Sequence, residues 1–229
     1  MPSFGHQLAA ALIRIWLATS SHSWRRLPRP RGETGVSAPG PSTARLLFIG
    51  SGAVVGYGVL SHDLSVSGHL ARLVAASTGR GVDVRIIADP DLDVRTARAE
   101  LHRAGVRSID VALVTLGSID AIELLPTRDW GKDLGLLLDE MALVAKRVLL
   151  IGIPPIPALV RVPPVYSSAV ARRCDALNAE SARLAAKRTG VDFVPFAPPP
   201  IDLMQNASKA VHSVWARILA PHVVAALDG

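Results

Sequence analysis

Six side chains in this sequence could meet in one cleft and do chemistry there: Ser51, Asp91, Asp93, Ser118, Asp120 and Asn206. A serine hydroxyl attacks a carbonyl only when a nearby base takes its proton, so Ser51 would need such a partner. Asp91, Asp93 and Asp120 would suit a divalent cation, which takes carboxylate oxygens as ligands. Each also has a plainer role: a turn hydroxyl for Ser51, a helix N-cap for Asp91 or Asp93, a structural hydrogen bond for Asp120. His62, His69, His102 and His222 lack a His-x-x-x-His spacing and read as surface or helix residues. Cys174 is the only cysteine, which rules out an internal disulfide, leaves no cysteine metal cluster and fits a reducing compartment.

What must position these residues is the stretch Arg45–Gly58. The apolar run Leu46-Leu47-Phe48-Ile49 leads straight into Gly50-Ser51-Gly52, with Gly56 and Gly58 soon after. That pattern predicts a buried parallel strand ending in a tight turn that can approach a ligand closely. In open α/β sheets the ligand lies at such strand ends. The glycine spacing also suits a dinucleotide-binding turn, but a ribose needs an acidic residue about 20 positions further on. Asp89 comes too late, and no cofactor is expected.

Helical and strand patterns then alternate. Leu64–Ser77 reads as a helix ended by Gly79 and Gly81, Val82–Ile87 as a strand, and Asp89–Asp93 as a turn into a helix reaching Ala104. Ile109–Leu116 is a strand that ends at Gly117-Ser118-Ile119-Asp120. Trp130–Ala145, Ser168–Arg188 and Ser208–Leu227 read as helices, and Val148–Ile153 and Val191–Phe196 as strands. Short apolar strands between helices predict the α/β class, a three-layer α/β/α sandwich on a five-stranded parallel sheet with flavodoxin-like order.

The domain occupies residues 44–229, after a segment 1–43 of different character. Residues Leu27–Thr43 form a Pro/Gly/Ser-rich strap, and Leu8–Ala18 an apolar run too short for the roughly 20 residues of a membrane span. As a secretory signal it is also poor, because its basic residues follow rather than precede it. Two readings stay open. One is an interfacial helix with Trp16 and Trp24 at headgroup depth and Arg25, Arg26 and Arg29 facing anionic lipid. The other is a helix packed on the domain or on a second subunit. The net charge of +6 does not imply nucleic acid, since no basic face is interleaved with aromatic platforms.

The strand-turn Gly50-Ser51-Gly52 resembles the Gly-Asp-Ser block of the SGNH (GDSL-type) hydrolases. Leu27-Pro28, Gly32 with Gly35, Gly152-Ile153-Pro154-Pro155 and Ser208…His212…Trp215-Ala216 extend that resemblance in order along the chain. The family hydrolyses esters with a serine, histidine and aspartate, and holds the oxyanion on backbone and side-chain donors. Carried over by resemblance, the nucleophile falls on Gly52, the glycine donor on Asp91 and the asparagine donor on Ile119. The aspartate falls on Leu203 and the histidine on Asn206, while His212 stands at a usual tyrosine and reads as packing.

A glycine cannot attack, and no imidazole is left to take a proton. The resemblance therefore implies an SGNH fold without its ester-cleaving residues, acting by binding. The expected occupant is a protein partner, either an active SGNH paralogue or a second copy, or an acyl or glycan ligand near Ser51, Ser118 and Asn206. An esterase or acyltransferase using Ser51, or a metal held by Asp91, Asp93 and Asp120, is the alternative. The expected location is cytoplasmic, with residues 1–31 on the inner membrane face.

Overall fold

The computed structural model describes residues 15, 16, 19, 20, 26–31, 34–160, 162–199 and 209–229. The lipid-facing reading of Leu8–Ala18, Trp24 and Arg25, and the expectations for Gly32, Leu203, Asn206 and Ser208, fall wholly or mostly outside them.

The sheet is built from β1 (Gly35–Ala38), β2 (Ala44–Gly50), β3 (Val82–Ala88), β4 (Ile109–Thr115), β5 (Ala145–Ile151) and β6 (Val191–Val194), in the spatial order β1-β3-β2-β4-β5-β6. Strands β2 to β6 are parallel and give the flavodoxin-like order expected. Leu46, Leu47, Phe48 and Ile49 are buried, as a strand covered by helices on both faces requires.

Six strands rather than five is the correction. Part of the strap pairs antiparallel with β3, Val36 opposite Val84, and Thr34 O accepts from Ile86 N–H at 2.7 Å. The exposed β3 edge offers unpaired backbone groups, and the strap covers them. Upstream, Pro28 O accepts from Gly58 N–H at 2.7 Å, so the strap also braces the turn after β2.

Helices α1 (Val66–Thr78) and α7 (Lys209–Asp228) pack together on one face. The other face carries α2 (Ala97–Ala104), α4 (Thr127–Val144) and α6 (Pro164–Ala185), with the short α3 (Ser118–Ile122) and α5 (Ile156–Leu159) in the connections. Ser65 caps α1 by accepting from Ser67 N–H, and the indole N–H of Trp130 donates to Ser181 Oγ to tie α4 to α6. Chain connections leave β2 toward one side and β4 toward the other. A crevice therefore opens between their carboxyl ends.

Candidate functional site

Strand β2 ends at Gly50, and Ser51 continues it by donating its N–H to Thr115 O at 3.0 Å. The Ser51 hydroxyl is buried and has no hydrogen-bond partner among the described residues. A 3-10 turn, Gly52–Val55, follows. Gly52 sits at φ +72, and a Cβ there would lie 3.3 Å from Ser118 Oγ. The resemblance puts a nucleophile at this point, and no side chain stands there.

The crevice is a cavity of about 80 Å³. Ile119, Ile122, Ile153, Leu159, Phe196 and Trp215 form its apolar walls, while Ser51, Thr115, Ser118, Tyr57 and His212 supply the polar side chains. No Asp, Glu, Lys or Arg lines it among the described residues. His212 Nε2 lies 2.9 Å from Tyr57 O, and the ring packs edge-on against Trp215, which packs edge-on against Phe196. Burial holds the His212 pKa below its usual value, aided by nearby His69 and opposed by the Tyr57 contact.

One wall depends on a residue the sequence did not single out. Asn178 on α6 accepts from Ile153 N–H at 2.8 Å through Oδ1 and donates to Ile153 O at 2.9 Å through Nδ2. These bonds pin the segment after β5 that carries Pro154 and leads to Leu159. Asn178→Ala is expected to lose about 2 kcal/mol in urea unfolding, because two half-buried backbone groups lose their partner. A loss under about 0.5 kcal/mol would mean the segment is held by other contacts.

The acidic residues do not gather at the cleft. Asp91 is exposed and lines a separate groove with Arg85 and Arg103, while its neighbour Pro90 faces the cleft. The expected carboxylate at the oxyanion position is therefore corrected: the loop turns it away. Asp93 accepts from Thr96 N–H and Oγ1 and pairs with Arg95 at 2.6 Å, as a cap does. Burial opposes its ionisation, but the Thr96 bonds and Arg95 outweigh that and lower its pKa.

Asp120 is buried, and its Oδ1 accepts from Val94 N–H at 3.3 Å while Oδ2 has no described partner. Burial, with Asp93 nearby, pushes its pKa up to about 7. Among the described residues no three His, Cys, Asp or Glu side chains converge to hold a metal ion, so the triad Asp91, Asp93 and Asp120 does not form one.

No protein-family model and no curated protein matches the chain. Solved structures do. A catalytic mutant of an acetylxylan esterase from Geobacillus stearothermophilus aligns at TM-score 0.60 and 15% identity, over 81% of this chain and 95% of its own. An extracellular lipase from Streptomyces rimosus aligns at 0.52 and 16%, over 81% and 98%. An alpha/beta hydrolase enzyme from the metagenome of Lake Arreo, Spain, aligns at 0.55 and 15%, over 82% and 96%. The fold is that of the SGNH hydrolases.

Set in the SGNH fold, Ser51, Gly52, Ser118 and Ile119, which follow the ends of β2 and β4, all line the cleft. Asp91, Asp93 and Asp120 do not line it. Leu203 and Asn206 lie outside the described residues. His212, read as packing, is buried yet lines the cleft. The signal for it was present: His212 and Trp215 are three apart on the apolar face of a helix, so one turn delivers both.

Proposed function

We propose that this chain is a binding protein built on the SGNH fold, holding an acyl-class ligand in the cleft without cleaving it. The observation that carries this is the lining: the nucleophile position is Gly52, and no described carboxylate stands beside the cleft to orient a base. Aliphatic walls favour an acyl group over a glycan, whose hydroxyls would find few partners there. Hydrolysis needs a nucleophile, a base and an oxyanion site at once, and losing them together leaves binding as the use of the crevice.

The competing reading, an esterase with Ser51 as nucleophile and His212 as base, draws on both residues lining one cavity. Against it, no hydrogen bond joins them. p-Nitrophenyl acetate separates the readings. No turnover above the buffer rate is expected, and Gly52→Ser is expected to add none, since no carboxylate among the described lining residues orients an imidazole to take the hydroxyl proton. Turnover that vanishes in Ser51→Ala would overturn the binding reading.

A further inference from the structure

Asp120 does not line the cleft, yet it joins two of the segments that do. It sits on α3, whose Ser118, Ile119 and Ile122 are lining residues. Its Oδ1 accepts from Val94 N–H in the loop that brings Pro90 to the same cleft. Helix α3 lies between two left-handed backbone positions, Gly117 at φ +102 and Leu124 at φ +57. A leucine in that conformation is strained and stays so only where its surroundings hold it. Part of the hold is Leu125 N–H, which donates to Asp120 O at 2.8 Å. The carboxyl has one described bond, and its Oδ2 is buried without a described partner. Ionised there, it is a buried charge with little to compensate it, because Arg95 already pairs with Asp93 and Glu123. Asp120 is only 2% exposed, so the charge reaches water when α3 and the loop part.

We propose that Asp120 couples pH to the cleft: protonated, it seats α3 against the loop after β3, and ionised, it draws α3 away and opens the cleft. This rests on the binding reading above and adds the regulation of that site. Seated, the carboxyl has its pKa pushed up by burial to about 7, and in water it ionises at the ordinary 3.8. The ratio of open to seated chains therefore rises about tenfold from pH 6 to pH 8. The charged groups of the loop that act on Asp120 are Asp93, held below its usual pKa, and Arg95, held above. Neither titrates in this range. On α6, which packs against α3, the buried titratable group is Cys174, pushed up by burial to about 11.

Hydrogen exchange of the Val94 and Leu125 amides tests this on the full chain, in the natural sequence and in Asp120→Asn. 1-Chloropropane serves as an uncharged probe of the cleft. Protection factors, corrected for the pH dependence of free amides, are expected to fall about tenfold from pH 6 to pH 8 in the natural sequence. In Asp120→Asn no fall is expected. The probe at ten times its dissociation constant is expected to raise both factors about tenfold, since only the seated chain binds it. The coupling is overturned if Val94 exchanges no faster than Leu113 in the middle of β4, which would make the opening global, or if Asp120→Asn shows the same fall. A probe that shifts the methyl signals of Ile119 and Ile122 but leaves Val94 protection unchanged also overturns it, while the binding reading stands. If the probe shifts no lining methyl, the binding reading falls and the regulation with it.

Discussion

Asp120→Asn is expected to make the protein more stable by up to about 4 kcal/mol at pH 8 and by less than about 2 kcal/mol at pH 5, and to change little below pH 4. The figure is a shift of about three pK units at about 1.4 kcal/mol each. The sign follows from the direction: a carboxyl whose pKa rises from 3.8 to about 7 on folding is penalised where it must ionise. That penalty is absent below about pH 4, grows as pH rises, and is complete above about pH 7. Asparagine keeps the oxygen that accepts from Val94 N–H and carries no charge to bury. Its amide group takes the place of an oxygen that has no partner already, so against the protonated acid the exchange is near neutral.

Other groups titrate nearby in the opposite sense. His212 and His62 are held neutral by burial, and their contribution grows with rising pH toward 6.5. Subtracting the variant's urea-unfolding profile from that of the natural sequence cancels them. A difference that stays flat from pH 5 to pH 8 would show that Asp120 reaches solvent or a partner.

The strands were readable because a strand buried on both faces must be apolar throughout, as Leu46–Ile49 and Val111–Val114 are. Strand β1 was not. Gly-Val-Ser-Ala is four residues inside a Pro/Gly-rich strap, and what makes it a strand is the open edge of β3, which no local pattern announces. The same division runs through the site. Ser51, Gly52 and Ser118 were legible because the ends of apolar runs place them. Asp91 misled because the loop after β3 puts Pro90 on the cleft and its neighbour outside, and a one-residue offset cannot be counted from spacing. The apolar wall at Ile153 and Leu159 was hidden for another reason: aliphatic residues bear no chemistry to search for, and Asn178, which holds that wall, lies 25 positions away.

Gly50→Ala is expected to cost about 3–5 kcal/mol, or to prevent folding. Gly50 pairs with Ala88 on one side and Thr115 on the other, at the crossing of the three strands that open the cleft. Its φ of +151 is one that side chains rarely adopt, and a Cβ would come within 2.1 Å of Thr115 O. That oxygen cannot yield cheaply, because it accepts from Ser51 N–H at 3.0 Å, and the Thr115 hydroxyl donates to Ile49 O at 3.3 Å. Relief of the clash must therefore separate β2 from β4 where the crevice begins.

Gly105→Ala supplies the contrast. Gly105 also has a positive φ, +58, but nothing lies within 4 Å of a Cβ there. Only the conformational cost remains, about 1 kcal/mol. Thermal or urea unfolding of the two variants side by side separates strain from collision. Equal losses would mean that the backbone angle, and not the close approach of β2 to β4, is what requires glycine at the mouth of the cleft.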